Sequence, residues 1–329
     1  MKISRWLRLA QGDVVSYDMD RHSVAPFRIS NPWREQNPRA RMMPVVSLAF
    51  HPRDIGSLLI GYSEGAVIFS FQQDKPTKYF RYEVPAGAPG GDADPASASR
   101  ARVTPLTQAV WHPTGTFILT AHEDSSLVVW DTKDGRKLLA RTLQATGVDM
   151  VGNAAGLHSR SPTFAVKEPI FRIAWCSKEN PDDTGLLIAG GAPTNIPDKG
   201  LTFFDLGPTP NYATSSWQVL ADHFEKPKKQ STLLTPPFAE VVDFCLIPRK
   251  SPYFAGAQDP IAVIALLASG AIVTLSFPSG HPITPTNQLH VSLSYVHPFA
   301  NRISMTYIDR TQWLGMTENR TQGPLILRG

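Results

Sequence analysis

Cysteine is nearly missing from this chain, with two in 329 residues, Cys176 and Cys245. Two scattered cysteines build neither a disulfide framework nor a zinc site. Each lies in an apolar run (IAWC and DFCLI), which reads as a small core residue in a reducing compartment. Charge is also sparse: 18% of residues are Asp, Glu, Lys or Arg, and the net charge is +4 with a pI of about 9.0. The densest basic groups, Arg34, Arg39 and Arg41, then Lys226, Lys228 and Lys229, read as solvated loops, the sharper alternative being attraction to anionic lipid or an acidic partner. A nucleic-acid reader concentrates its basic residues on one face, so no nucleic acid is expected. Met1–Gln11 has a basic start but no apolar stretch of useful length and no small-residue cleavage site, unlike a secretory signal. The sequon Asn319-Arg320-Thr321 is discounted for the same reason.

No H-E-x-x-H, C-x-x-C or G-x-x-x-x-G-K-[ST] occurs, and the nine histidines do not adopt metal-ligand spacing. No metal or cofactor is therefore expected. One uncharged run, Ile261–Phe277, has 17 residues and sits at the short edge of a membrane span. Ser269-Gly270 divides it into two strand-sized pieces, and the second piece alternates, so it reads as a buried β-hairpin.

Proline is abundant, 29 in the chain. It fixes φ and donates no backbone hydrogen bond, which favours turns over long helices. A β-rich pattern recurs five times, at Gly12–Asp18, Gly65–Phe71, Ser125–Asp131, Lys199–Asp205 and Gly270–Ser276. A second precedes four of these copies: Val46–Pro52, Ala109–Pro113, Phe171–Cys176 and Val242–Pro248. Between them lie Leu58–Ile60, Phe117–Thr120, Leu186–Ala189 and Ile261–Leu267; after them come Tyr79–Glu83, Lys137–Leu143, Trp217–Leu220 and Leu289–Leu293. Four short strands per repeat with tight turns is the signature of a propeller blade. The repeat positions are His51-Pro52, His112-Pro113, Asp124 in the turn before a third strand, the Trp130-Asp131 dipeptide that ends it, Trp175 and Asp205. The glycine-histidine dipeptide of strong WD repeats is missing, and the copies start 53, 60, 74 and 71 residues apart, beyond the usual spacing of about 40 to 45. The excess falls in the loops Pro85–Thr104, Gln144–Lys167, His223–Pro237 and Pro248–Pro260.

The fold expected is all-β, an incomplete WD-repeat-type β-propeller of about four to five blades of a seven-bladed ring. Its divisions are 1–40 (the end of a first blade and a loop), 41–104, 105–168, 169–237 and 238–298 (one blade each), and 299–329 (the start of another). Repeat arrays bury a continuous core only against their neighbours. The chain is thus expected to be a segment of a larger protein, with apolar blade faces open at both ends.

Gly61-Tyr62-Ser63-Glu64-Gly65 matches the G-x-S-x-G elbow of hydrolases, which requires a strand before the serine and a helix after it. Here a strand pattern follows, so the pentapeptide reads as a hairpin turn, with a hydrolase using Ser63 as the remote alternative. Pro89-Gly90-Gly91-Asp92 lacks the following helix that a phosphate cradle needs. Asp182-Asp183 reads as a solvated turn. Trp33 with Arg34, Trp217 and Trp313 are not explained by the repeat. They are the candidate interaction residues, since aromatic and arginine side chains are favoured at interface hot spots; the plainer reading is that they clamp loops onto blades.

Asp18–Trp33, Val45–Phe71 and Ala109–Asp131 resemble the first propeller of the lethal giant larvae/tomosyn family, most of all its fungal members. Phe50–Asp54 followed by Leu59–Gly65 is the most specific part, and Gln312–Pro324 is also similar. The resemblance implies two tandem seven-bladed propellers and a C-terminal tail, acting without catalysis or cofactors in secretory-vesicle fusion and cell polarity. The partners it implies are plasma-membrane SNAREs of the syntaxin and SNAP-25 types, an exocytic Rab GTPase, and myosin and polarity kinases. The location it implies is the cytoplasm with peripheral plasma-membrane association. A WD-repeat adaptor in another trafficking or cytoskeletal complex shares every fold-level feature and stays open.

Overall fold

The computed structural model describes residues 4–8, 12–18, 21–36, 43–91, 99–151, 167–235, 239–250, 256–283 and 302–305. They form antiparallel sheets whose strands follow chain order. The first sheet has three strands, β1 (Ser4–Arg8), β2 (Val14–Asp18) and β3 (Ser23–Ile29). β3 lies past residue 18, within the division 1–40 read as the end of a first blade and a loop. After the short helix α1 (Pro32–Gln36) comes a four-stranded sheet of β4 (Val45–Phe50), β5 (Ser57–Tyr62), β6 (Gly65–Ser70) and β7 (Lys75–Phe80). A two-stranded ribbon, β8 (Glu83–Val84) with β9 (Arg102–Val103), leads to the sheet β10 (Leu106–Trp111), β11 (Phe117–His122), β12 (Leu127–Asp131) and β13 (Lys137–Arg141). The next sheet contains β14 (Ile170–Ser177), β15 (Asp183–Gly190), β16 (Gly200–Pro208) and β17 (Lys229–Leu234), with helix α2 (Trp217–Glu225) between the last two strands. The last is β18 (Val241–Pro248), β19 (Pro260–Leu267) and β20 (Ile272–Ser276). The uncharged run 261–277 is therefore the β19–β20 hairpin, and among the described residues no helix is long and apolar enough to cross a membrane.

These sheets are propeller blades because their cores lie between them. One apolar cluster joins Val14, Ile29 and Trp33 to Leu58, Ile60 and Val67 of the second sheet. The next joins that sheet, through Ile68 and Phe80, to Trp111, Ile118 and Trp130 of the third. A further cluster packs Phe117 and Leu119 against Trp175, Ile188 and Phe204, and another packs Leu187 and Phe203 against Phe244 and Val263. No blade buries its own faces, so each is stable only beside its neighbours.

The innermost strands β4, β10, β14 and β18 carry the same irregularity. Pairing shifts by one residue between Val45 and Ser47, Leu106 and Gln108, Ile170 and Arg172, and Val241 and Asp243. A bulge there frees backbone groups from the ladder and turns a side chain toward the next blade. Ser47 Oγ accepts the Ala109 N–H at 3.0 Å. Gln108 Oε1 accepts the Ile173 N–H at 2.8 Å while its Nε2 donates to the Ile173 carbonyl at 3.1 Å. Gly61 lies opposite Ser47, where a Cβ would stand 2.3 Å from Ser47 Oγ.

The His-Pro positions mark a second recurrent contact. The His51 ring meets Trp111 of the next blade edge-on at 4.6 Å, and His112 meets Trp175 of the blade after that at 4.7 Å. The Trp111 Nε1–H donates to the Ala49 carbonyl at 3.0 Å. His112 is wholly buried; its Nδ1 accepts the Thr114 N–H, which leaves the proton on Nε2 facing Thr209 Oγ1 at 3.2 Å. Trp130 anchors its blade internally. Its Nε1–H donates to Thr120 Oγ1 at 2.9 Å, which lies 3.0 Å from His122 Nε2, and His122 Nδ1–H donates to the Thr104 carbonyl at 3.0 Å. His122, a residue the repeat pattern does not single out, thus supplies a buried imidazole although the glycine-histidine dipeptide is missing.

The sequence reading placed a fourth strand at Trp217–Leu220 and a loop at His223–Pro237; both are corrected. Trp217–Glu225 is a helix, because Ser216 caps it by accepting the Val219 N–H and because Leu220 and Phe224, four residues apart, fall on one buried face. Arg141 Nη1 donates to the Phe224 and Glu225 carbonyls at the other end, and Thr146 Oγ1 donates to the Glu225 carboxylate at 2.9 Å. The fourth strand is β17, inside the expected loop. Leu289–Leu293 and most of the segment 299–329 lie outside the described residues.

Burial pushes the His112 imidazole down to about 3 and that of His122 to about 4. Both stay neutral in the folded blade, while the unfolded chain takes up protons below about 6.5. Their contribution is complete above pH 6.5 and is lost as pH falls toward 4, by about 1.4 kcal/mol per pH unit for each histidine. Urea unfolding at pH 7.5, 6 and 5 should show this fall, and a flat profile would contradict it. Asp124 is buried and accepts the Gly91 N–H, the Ser126 N–H and the Ser126 hydroxyl at 2.9 to 3.0 Å. Asp124→Ala should cost roughly 3 kcal/mol or more and should accelerate amide exchange at Gly91 before the strands exchange.

Candidate interaction surface

Alternating strand direction gives the blades two rims of different chemistry. One rim carries the turns between second and third strands and the connections between blades, and its polar groups are largely engaged with one another. The Glu168 carboxylate pairs with the Lys199 ammonium, which also lies 3.9 Å from Glu240. Lys167 Nζ donates to the Gly91 carbonyl at 2.6 Å, and Ser125 Oγ donates to the Glu168 carbonyl at 3.1 Å. The Pro89–Gly91 stretch does not form an open anion cradle, because its Gly91 N–H is already bonded to the Asp124 carboxylate.

This rim also explains the G-x-S-x-G match. Ser63 lies in the turn from β5 to β6, so a strand follows it where a nucleophile elbow has a helix. Its N–H donates to the Pro44 carbonyl and its carbonyl accepts the Leu106 N–H. Both glycines have packing roles: Gly61 leaves room for Ser47, and a Cβ on Gly65 would lie 2.5 Å from the Phe80 carbonyl oxygen and 3.0 Å from the Trp33 ring. Trp33 is buried, edge-on to Tyr79 at 5.2 Å, and holds α1 onto the second sheet. Arg34 beside it is exposed.

The opposite rim carries the turns between first and second strands and the connections to the fourth strands. Here apolar side chains reach solvent. Phe27, Phe50 and Phe69 surround Phe71 with ring centroids 5.8, 6.3 and 5.6 Å away. Phe50 is 47% exposed, and Ile55 at the tip of the neighbouring turn is 87% exposed. Trp217, at the start of α2, is 54% exposed with the Arg136 guanidinium 5.9 Å from its ring centroid, and Val219 is exposed beside it. Asp131 fixes this rim by accepting the Lys133 N–H at 2.8 Å and the Tyr212 hydroxyl at 2.8 and 2.9 Å. Asp205, at the corresponding place in the next blade, has Lys178 3.9 Å away. Asp183 also meets Lys178, at 3.1 Å. Trp313 lies outside the described residues. Of the aromatic candidates from sequence, the structure places Trp217 on this surface and Trp33 in the core. The exposed Phe50 and Ile55 went unmarked because Val46–Pro52 read simply as a strand with its turn.

Comparison with known proteins bears on what such a surface serves. The chain is 33% identical over 311 residues, 94% of its length, to the Lethal(2) giant larvae protein homolog SRO77 of Saccharomyces cerevisiae. It is 25% identical over 318 residues to an uncharacterized protein of Schizosaccharomyces pombe. It spans 30% and 31% of the lengths of these two relatives. No protein-family model matches the chain. Among solved structures, a chain of the crystal structure of the mitotic checkpoint complex aligns over 85% of this chain and 59% of its own, with a TM-score of 0.47 and 10% identity. The blades described above and the match across nearly the whole chain support the lethal giant larvae family, with this chain a partial propeller.

Proposed function

We propose that this propeller segment is a non-enzymatic docking module in SNARE-dependent exocytosis and cell polarity, working in the cytoplasm and peripherally at the plasma membrane. The observation that carries the proposal is the 33% identity to the giant larvae homolog over 94% of the chain. The partners proposed are plasma-membrane SNAREs of the SNAP-25 and syntaxin types, with an exocytic Rab GTPase and myosin as further ones. The rim of Phe50, Ile55 and Trp217 suits such partners. SNARE segments are amphipathic, and an amphipathic helix binds by laying its apolar stripe on an apolar surface. Rigid aromatic anchors contribute the most to such contacts. The polar rim, with its ion pairs already made, offers less.

Immobilised SNAP-25-type and syntaxin-type SNAREs should capture the full-length protein. Ile55→Asp and Trp217→Ala should each weaken capture roughly tenfold or more, in line with hot-spot losses of about 2 kcal/mol, with unchanged circular dichroism. Failure of the wild-type protein to bind either SNARE would remove the assignment. Undiminished binding by both variants would move the contact to another surface.

A further inference from the structure

The outer strands β3, β7, β13 and β17 each end a sheet, and an unpaired strand edge invites another chain to pair with it. Three of the four are blunted. β3 contains Pro26, and its pairing with β2 slips between Val15 and Tyr17. β7 contains Pro76, and its pairing with β6 slips between Ile68 and Phe69. β13 slips against β12 between Val129 and Trp130, and its outward edge is taken. There the Gly147 N–H donates to the Ala140 carbonyl at 2.9 Å, Arg141 bridges to Thr146, and Arg141 ties α2 alongside. Bulges, prolines and covering segments are the devices by which a sheet edge is closed to other chains.

β17 has none of them among the described residues. Lys229–Leu234 holds no proline and pairs with β16 in unbroken register from end to end. The Thr235 N–H donates to the Lys199 carbonyl at 3.2 Å, and residues along an antiparallel ladder alternate between bonded and non-bonded pairs. Leu233, Ser231 and Lys229 therefore bond inward to β16, and the N–H and C=O groups of Gln230, Thr232 and Leu234 point outward. Among the described residues none of these outward groups has a backbone partner. The charge at this edge is open as well. Lys226, Lys228 and Lys229, where the strand begins, are exposed and make no ion pair among the described residues. Leu234, at the other end, is also exposed.

We propose that the outward edge of β17 is a docking site for an extended, acidic segment of another polypeptide, which adds to this sheet as a further strand. Charge complementarity selects this occupant. A second copy of the chain would bring a second set of unpaired lysines to the same edge and be repelled, whereas acidic side chains opposite Lys228 and Lys229 neutralise them. Antiparallel pairing is the more stable arrangement, so the acids lie at the C-terminal end of the incoming segment and an apolar residue at its start meets Leu234. The site is a strand edge, separate from the rim of Phe50 and Ile55, and does not depend on which partner that rim takes.

The test uses the full-length protein and a fluorescein-labelled peptide, Val-Thr-Val-Thr-Gln-Glu-Glu, beside a counterpart that ends in Lys-Lys. Anisotropy should show saturable binding of the acidic peptide that weakens as salt rises, and binding of the basic one roughly tenfold weaker or less. Hydrogen exchange in β17 should slow when the acidic peptide binds. Thr232→Pro removes an outward N–H and no ladder bond, a place where an edge strand accepts proline. It should weaken binding roughly fivefold or more with unchanged circular dichroism. Should that proline disturb the strand, the double change Lys228→Glu with Lys229→Glu decides, because it leaves the backbone alone and should reverse the preference toward the basic peptide. No binding of the acidic peptide, equal binding of the two peptides, protection away from β17, or an unreversed preference in the double variant would each overturn the proposal.

Discussion

The structure depends on burial that no single blade can achieve. Each apolar cluster is shared by two sheets, so removal of one sheet exposes a face of the next, and stability propagates from neighbour to neighbour. Burial is non-directional and does not by itself set how two sheets are aligned. The directional contacts at the innermost strands do. The bulge at one fixed place in β4, β10, β14 and β18 aims Ser47, Gln108, Arg172 and Asp243 along the ring, and a few hydrogen bonds at this narrowest radius set the register. The histidines after the strands act farther out, where the rings of His51 and His112 lie against the tryptophans of the following blades.

Much of this was legible in the sequence because both contacts recur. His51-Pro52 and His112-Pro113 stood out as equivalent, and the structure supplies the reason, a ring packed on Trp111 and on Trp175. The strand runs stood out because β-branched and aromatic residues fill positions buried on both faces. The hydrogen bonds made across the blades at the bulges were hidden. Ser47, Gln108, Arg172 and Asp243 share a place but no chemistry: three of them accept a backbone N–H across the interface, whereas Arg172 lies 3.5 Å from the Asp243 carboxylate. His122 was hidden for a related reason: its imidazole joins Thr120 of its own strand to the Thr104 carbonyl of the preceding connection and meets Trp130 of the neighbouring strand through Thr120, and such pairing is not written in local composition.

Helix α2 shows where local reasoning gives out. Trp217–Leu220 is four residues long, too short for helical and strand periods to be told apart. The decision comes from outside the tetrapeptide. Ser216 supplies the cap, Phe224 extends the apolar face by one turn, and Arg141 of the preceding blade binds the carbonyls at the far end. The insertion is therefore tied to two blades, and its exposed Trp217 is held by a helix rather than a loose loop. A rigidly held aromatic loses little conformational entropy on contact, which makes it a better anchor than the same residue on a mobile segment.

The contrast between the rims follows from how each is closed. Where the chain passes between blades, long connections must be pinned, and the carboxylates of Asp124 and Glu168 and the ammonium groups of Lys167 and Lys199 are used for that purpose. On the other rim the first-strand turns are short and closed by Asp54 and Thr114 through local bonds. Little side-chain chemistry is needed there for folding. Ile55 is almost wholly exposed and Phe50 packs on Phe71 with 47% of its surface still in solvent, whereas Trp111 and Trp175, at the position of Phe50 in the next two blades, are buried against histidines. The same repeat position is core in the third and fourth sheets and half-exposed in the second. An apolar group retained at a surface that folding does not require is the physical mark by which a binding rim differs from a merely solvated one.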